Sequence, residues 1–330
     1  MTPAARSSHH DGIDLTWGAV SDVGKVRRLN EDSYLEAPGA FVVADGMGGH
    51  QAGDVASRLT IEAVQSLLAD GVPDVESIAS VVQLANASVR SHADTAGQHG
   101  MGSTLVGAFV VRNADEDSIV VVNVGDSRCY SMRDGLVTQL TRDHSHVQEL
   151  VDSGEISADA AVTHPERNVV TRAIGIEDVV AGDFFVLPAV DRLRLLLCSD
   201  GVSGELGFDA IGSVLAAHAD PLDAAQALIA AVLEGRAADN ATAIVVDVRR
   251  SDLVSEAMVD DPDVTGPRPR VAVDPEITAP VPRQAFPPPT PDAVRVEVIS
   301  TVPGLEAGSA PPTPPTTPGD SGALISGVPG

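Results

Sequence analysis

Aromatic residues, lysines and cysteines are scarce in this chain of 330 residues. Only 3% of the residues are aromatic while 43% are apolar, so the core must be built mostly from valine, leucine, isoleucine and alanine. Lys25 is the only lysine, and two cysteines, Cys129 and Cys198, are too few for a disulfide framework. Both cysteines lie in or beside apolar runs, which predicts buried, reduced thiols.

Long apolar stretches are also absent from the sequence. No run approaches the roughly 20 residues that are needed to span a bilayer. The first residues, MTPAARSSHHDG, lack the apolar centre of a signal peptide. We therefore expect a cytoplasmic protein that does not bind a membrane.

Positive charge is in short supply, with 21 basic residues against 47 acidic ones and a formal net charge of −26. A chain of this charge repels nucleic-acid backbones and anionic lipids, which argues against both as partners. It can still act on phosphate esters, provided that bound metal ions reverse the sign of the local charge.

Proline marks a change of composition after Arg250, because 17 of the 23 prolines follow that residue. Proline-rich runs bury too little apolar surface to offset the conformational entropy of folding. We predict a disordered N-terminus over 1–12, one domain over 13–250, and a disordered, acidic, proline-rich tail over 251–330. Within the tail, Ala293–Ile299 alternates like a strand. We expect that segment to be a transient or partner-induced strand at most.

The domain mixes short apolar runs with helical patterns. The runs indicate strands that are covered on both faces, and Asp134-Gly135 between two of them predicts a hairpin. Apolar stripes predict helices over 52–69, 74–95, 208–217 and 221–235. The helices come in pairs and the strands in groups, without regular βαβ alternation. This order predicts an α+β fold with antiparallel sheets flanked by helices.

Acidic residues recur where the predicted strands end. Asp45, Asp126 and Asp200 each follow an apolar run directly, and Asp239 comes just before another. Any one of them alone is typical of a turn. If the strands belong to packed neighbouring sheets, however, the four carboxylates meet at one edge and repel one another. Divalent cations remove that penalty, and an all-oxygen donor set favours Mg²⁺ or Mn²⁺ and metal-assisted hydrolysis.

Six motifs together resemble a known family. They are GKVRRLNED, ADGMGGHQAGDVAS, MGSTL, NVGDSRCY, CSDG and DNATAIVV, and they span about residues 13–249. In this order they resemble the metal-dependent serine/threonine protein phosphatases of the 2C type, also called PPM-type. The stretch TRDHSHVQELVDSGEI…HPERNVVTRAIG resembles the bacterial branch of that family.

The resemblance implies a four-layer α-β-β-α sandwich with two or three Mn²⁺ or Mg²⁺ ions. Asp45 would bridge two ions, and the Gly46 carbonyl would bind one of them. Asp200 and Asp239 would complete the other, with Glu31 close by. The remaining implied roles are a third metal position at Asp126 with Asp200, a phosphate-binding role for Arg27, and orientation of the nucleophilic water by Asp32.

The activity implied is direct hydrolysis of phosphoserine and phosphothreonine by a metal-bridging hydroxide, opposing serine/threonine kinases. The partners would be phosphorylated proteins and cognate kinases. The general acid stays open between His50, which could instead cap the helix near Ala52, and a metal-bound water. Residues 144–175 would form the family's flap, where His144, His146 and His164 favour surface or hydrogen-bonding roles. The alternative function is a catalytically weak, phosphatase-like binding module.

Overall fold

Two β-sheets stack face to face in the computed structural model, and a pair of helices covers the outer face of each. The structure describes residues 4–10, 12–48, 52–69, 71, 73–112, 117–250 and 294–298. The strands are β1 (Arg6–His10), β2 (Ile13–Asp22), β3 (Asp32–Ala37), β4 (Ala40–Met47), β5 (Gly102–Ser103), β6 (Leu105–Arg112), β7 (Asp117–Val124), β8 (Arg128–Arg133), β9 (Leu136–Gln139), β10 (Gly182–Pro188), β11 (Leu193–Cys198), β12 (Ala241–Arg250) and β13 (Val294–Val298). The helices are α1 (Ala52–Leu68), α2 (Val75–Ala96), α3 (His146–Asp152), α4 (Ala158–Val162), α5 (Asp200–Ala217) and α6 (Pro221–Glu234).

The order of strands is β1-β2-β12-β11-β8-β9 in one sheet and β13-β10-β7-β6-β4-β3 in the other, with β5 paired to β4. Every pairing is antiparallel except that of β10 with β13. This arrangement confirms the predicted α+β sandwich of two central antiparallel sheets with helix pairs outside.

Apolar residues fill three interfaces between the four layers. The inner faces of the two sheets meet around Trp17 and Phe41, whose ring centroids lie 5.3 Å apart in an edge-to-face contact. One outer interface packs α1 and α2 on the sheet that contains β4. The other packs α5 and α6 on the sheet that contains β11. Strands buried on both faces explain the continuous apolar runs, such as the fully buried LRLLLC of β11.

Local signals in the sequence hold where their chemistry is specific. Asp134 and Gly135 have φ of 50° and 81° and join β8 to β9, as the predicted hairpin requires. Asp220 caps α6 through its side chain, with Pro221 in the first turn. Residues 144–175, the predicted flap, contain two short helices, α3 and α4, between β9 and β10.

Three segments differ from the sequence-based predictions. Strand β1 lies inside the predicted disordered stretch 1–12, so that prediction was wrong for Arg6–His10. Backbone pairing with β2 forms this polar strand, and it requires no apolar pattern. Strand β3 was not predicted. Helix α5 begins at Asp200 rather than at 208, with a break at Gly207, where φ is 70°.

Of residues 251–330, the structure describes only β13, whose backbone pairs in parallel with β10. The other residues of 251–330 lie outside the described part of the chain, so the disordered tail stays a prediction. Among the described residues, no helix is both long enough and apolar enough to cross a membrane.

Candidate metal centre

One edge of the sandwich collects the ends of strands from both sheets. In one sheet, Asp32 at the start of β3 is in register with Asp45 in β4. In the other, Cys198 at the end of β11 is in register with Arg128 and Ala243. Antiparallel pairing therefore aligns the ends of β4 and β7 with the start of β3 in one sheet, and the end of β11 with the starts of β8 and β12 in the other. The hydrogen bonds of Asp32 with Ser199 and Thr242 bring the two sets of strand ends to one edge. The four strand-end aspartates, at 45, 126, 200 and 239, lie along this edge.

Asn240 holds the loop that carries the basic residues of the site. Its amide nitrogen donates to the backbone oxygens of Val23 and Leu29, both at 3.0 Å. Its amide oxygen accepts from the backbone N–H of Glu31 at 2.8 Å. One side chain just before β12 thus fixes both ends of the turn that presents Arg27.

Arg27 lies between two acidic side chains. Its guanidinium donates to Asp239 at 2.7 Å and lies 3.7 Å from Glu31. The hydrogen bond to Asp239 raises the pKa of Arg27 above its ordinary value, and burial raises the pKa of Glu31. Because 47% of the Arg27 side chain is exposed, the guanidinium can reach a bound anion from this position.

Three further carboxylates lie at the same edge without a matching set of cations, with Asp126 buried and Asp45 and Asp200 half-buried. Burial, together with the charges of Asp32, Asp200 and Asp126, raises the pKa of Asp45 well above its ordinary value. Burial and the charge of Asp200 raise the pKa of Asp126 to about 8. Burial and the charge of Asp239 raise the pKa of Asp200, whose carboxylate is also in hydrogen-bond contact with Asp45. Bare ionised carboxylates at this spacing destabilise the folded protein.

Asp32 is held by two hydroxyls that come from distant parts of the chain. Its Oδ2 accepts from Ser199 Oγ at 2.8 Å and from Thr242 Oγ1 at 2.7 Å. Its Oδ1 is buried and has no hydrogen-bond partner among the described residues. Burial raises the pKa of Asp32 to about 7 against the opposing effect of the two hydroxyls. An orphan oxygen on a fixed carboxylate is suited to accept a hydrogen bond from a water.

The two Asp-Gly pairs of the site are required by close backbone packing. A Cβ at Gly46 would lie 2.0 Å from the backbone oxygen of Gly53, and one at Gly201 would lie 1.9 Å from that of Asn240. Neither position can carry a side chain. The glycines therefore let β4 and the start of α5 approach their neighbours closely, directly beside Asp45 and Asp200.

The family model described as protein phosphatase 2C matches residues 27–234, which contain all of these acidic positions except Asp239. The chain belongs to the protein phosphatase 2C family. As a family member it is a metal-dependent protein phosphatase, which confirms the activity that the six motifs predict.

Bacterial members of the protein phosphatase 2C family resemble the chain in sequence and structure. It is 34% identical over 243 residues to the serine/threonine phosphatase stp of Listeria welshimeri, covering 69% of this chain and 93% of that protein. The crystal structure of the Mycobacterium tuberculosis serine/threonine phosphatase PstP/Ppp superposes with a TM-score of 0.67 at 36% identity, covering 72% of this chain and 99% of that one. A structure of the PstP catalytic domain in complex with two manganese ions gives a TM-score of 0.64 at 34% identity, covering 72% of this chain and 99% of that one.

The residues of the edge fit divalent metals in their chemistry. The donors are carboxylate and carbonyl oxygens, the carboxylates outnumber the arginines that act on them, and Asp32 keeps a free oxygen. Among the described residues, no three acidic or histidine side chains are gathered at the distances of a closed metal-binding set. The Arg27 guanidinium instead supplies positive charge beside Asp239 and Glu31. The site is thus a converging group of oxygen donors rather than a finished coordination cage.

The structure brings most of the predicted site residues together and adds three more. Asp32, Asp45, Asp126, Asp200 and Asp239 all interact electrostatically, and Arg27 and Glu31 adjoin Asp239. His50 lies outside the described residues. Ser199 and Thr242, which orient Asp32, lie in the motifs CSDG and DNATAIVV, but the motifs alone do not predict this role. Thr104, in the motif MGSTL, also supports the site, because its hydroxyl accepts from the backbone N–H of Asp45 at 2.9 Å and contacts Ser127 at 2.7 Å.

Proposed function

We propose that the chain hydrolyses phosphoserine and phosphothreonine in proteins. The reaction would be performed by Arg27 and by the edge that carries Asp32, Asp45, Asp126, Asp200 and Asp239, which we call the carboxylate edge. The observation that carries this assignment is the group of buried and half-buried, mutually repelling carboxylates beside an exposed guanidinium. Such a group is unfavourable in an empty protein and becomes favourable once cations and a phosphate share the site.

The metal ligands in this proposal are the residues predicted from the sequence. Asp45, Gly46, Asp200, Asp239 and Glu31 would hold two ions, and Asp126 with Asp200 would hold a third. Bound Mn²⁺ or Mg²⁺ supplies a water nucleophile at neutral pH and neutralises the charge of the transferring group. Glu31 and Asp239 become available to a metal if the Arg27 guanidinium moves from between them towards the phosphate.

The protein's own side chains bind the phosphate and hold the water. The guanidinium fork of Arg27 matches two phosphoryl oxygens. Asp32 accepts a proton or hydrogen bond at its free Oδ1 while Ser199 and Thr242 fix the carboxylate through Oδ2. Cys129 and Cys198 are fully buried, so neither is placed to attack phosphorus.

Space beside Asp32 suits a substrate larger than a phosphate ion. A cavity of about 370 Å³ adjoins Asp32, and its lining includes Tyr34, Arg58 and Glu62. Mixed polar, charged and aromatic walls suit the side chains that flank a phosphorylated residue in a polypeptide.

The direct test is phosphate release from a phosphothreonine peptide after metal removal with a chelator. We expect no release by the metal-free protein, and release that saturates on titration with Mn²⁺ or Mg²⁺. A folded sample that stays inactive at saturating metal would instead support the alternative, a phosphatase-like binding module. Opposition to cognate kinases, use of Mg²⁺ and a cytoplasmic location stay predictions. Phosphoproteomics of a deletion strain and cell fractionation test them.

A further inference from the structure

A buried histidine in the flap segment 144–175 contacts the loop that carries Asp126. His144 is 6% exposed. Its Nδ1 accepts from the backbone N–H of Gly125 at 3.0 Å, and its own backbone N–H donates to the Gly125 oxygen at 2.9 Å. One residue therefore binds both polar groups of the residue directly before Asp126.

Only glycine fits at position 125, where His144 makes this contact. The Gly125 φ of 108° is one that side-chain-bearing residues rarely adopt, and a Cβ there would lie 2.6 Å from Thr104 Cγ2. Thr104 also binds the backbone N–H of Asp45. The turn before Asp126 is consequently fixed by Thr104 on one side and by His144 on the other.

The opposite ring nitrogen of His144 is held by an acidic residue of β10. Nε2 lies 3.2 Å from Asp183 Oδ2 and 2.7 Å from Arg172 Nη1, and Arg172 Nη1 also donates to Asp183 Oδ1 at 2.9 Å. Since Nδ1 accepts a hydrogen bond, the neutral ring carries its proton on Nε2. Of the two groups beside Nε2, only the Asp183 carboxylate can accept that proton, because the Arg172 guanidinium is a donor alone. Asp183 thereby selects the tautomer that can bind Gly125.

We propose that His144 is a positioning residue, which sets the Asp126 carboxylate for metal binding through Gly125. The inference rests on the proposed function, in which Asp126 belongs to a metal position. It also gives the flap a part in holding the Asp126 turn, because the backbone oxygen of His144 accepts from the backbone N–H of Thr171 at 2.8 Å. The two limbs of the flap thus meet at the residue that holds the Asp126 turn.

Two substitutions separate the two ends of the ring. In His144→Asn, an amide oxygen can replace Nδ1 and keep the acceptor for Gly125. In His144→Gln, a polar group can replace Nε2 towards Asp183, and the acceptor for Gly125 is lost. If His144 only filled space, the two substitutions would have similar effects on metal binding and on exchange at Gly125.

The measurements are Mn²⁺ binding by calorimetry, the Mn²⁺ midpoint of peptide hydrolysis, and hydrogen exchange of the Gly125 amide in metal-free protein. For His144→Gln we expect faster exchange at Gly125 and Mn²⁺ binding weakened roughly tenfold, with an unchanged KM at saturating metal. His144→Asn should restore the exchange protection and most of the Mn²⁺ affinity.

Equal behaviour of the two variants in Gly125 exchange and in Mn²⁺ binding would overturn the positioning role. Failure of the proposed function looks different. In that case the wild-type protein binds Mn²⁺ without hydrolysing the peptide, while calorimetry and exchange still compare the two variants.

Discussion

Two groups of buried charge in the sandwich show opposite designs. At the carboxylate edge, Asp45, Asp126 and Asp200 lie close together, and mutual repulsion adds to burial in raising their pKa values. Behind α5, Arg194 is also buried, but it forms a double ion pair with Asp247 at 2.6 and 2.7 Å. Its remaining N–H groups donate to the backbone oxygens of Leu215, His218 and Ala219.

The difference separates structural charge from functional charge. All five N–H groups of Arg194 have partners, so this pair closes the C-terminal end of α5 and needs nothing further. The carboxylate edge is incomplete without added cations, which is typical of sites that bind metals or catalyse reactions. Fold stability and activity should therefore respond to different substitutions.

The largest expected effect is on activity, from Asp45→Asn. The amide cannot replace a carboxylate that holds metal ions, so we expect phosphate release to fall by roughly a hundred- to a thousand-fold at saturating Mn²⁺. Stability of the metal-free protein should not decrease, because one of the repelling charges is gone. Peptide assays and urea unfolding in chelator measure the two quantities. Activity near that of the wild type would remove Asp45 from the metal site.

The same chemical change in the other group, Asp247→Asn, should affect stability instead. It leaves the buried guanidinium of Arg194 without its counter-charge, which costs on the order of 3 kcal/mol in the free energy of unfolding. Activity per folded molecule should stay within about twofold, since the pair does not touch the carboxylate edge. If Asp247→Asn lost activity while remaining fully folded, the division between the two groups would be wrong.

Arg27→Ala should weaken phosphosubstrate binding, with Arg28→Ala as the matched exposed control. Charge-assisted hydrogen bonds contribute about 1.5–3 kcal/mol, so kcat/KM should fall roughly ten- to a hundred-fold, mainly through KM. The stability of the metal-free protein should also change, because Asp239 loses its hydrogen-bond partner at 2.7 Å. Steady-state kinetics on a phosphothreonine peptide decide the point. Equal kinetics for the two variants would rule out a phosphate-binding role for Arg27.

The stability of the metal-free protein should fall as pH rises. The folded-state pKa values of Asp32, about 7, and Asp126, about 8, lie above the roughly 3.9 of an unfolded aspartate. The protonated forms therefore favour folding, and this contribution is complete below about pH 4 and is lost as pH rises through 7 to 8. Urea unfolding between pH 5 and 8.5 with chelator should show the decline, and saturating Mn²⁺ should flatten it. A rise in stability across this window without metal would contradict the raised pKa values.

The sequence predicts the strand-end aspartates because one pattern repeats. An apolar run that leads into an acid is ambiguous once, but Asp45, Asp126 and Asp200 repeat it, and their strands end at one edge. Glycine and turn chemistry likewise predict the β8–β9 hairpin. These features are local, so a single sequence contains enough information to place them.

Other features depend on contacts that the sequence does not encode locally. Ser199 and Thr242 lie 167 and 210 residues from Asp32, and a serine or threonine beside a strand has no distinctive pattern. Strand β1 is polar because it is held by backbone pairing, and the first half of α5 is obscured by Gly201 and Gly204. In each of these cases tertiary contacts, rather than the local sequence pattern, determine the structure.

The smallest expected effect is that of removing residues 251–330. Neither charged group contains a described residue beyond 250, and β12 runs to Arg250 with its pairing to β2 and β11 complete. The loss is the pairing of β13 with β10, at the edge of the sheet farthest from β3. We expect kcat/KM for a small phosphate ester to stay within about twofold and the Asp45→Asn and Asp247→Asn contrast to persist in the truncated chain. Loss of the fold or of all activity on truncation would mean that the domain extends past residue 250. The comparison between the two charged groups would then have to include those residues.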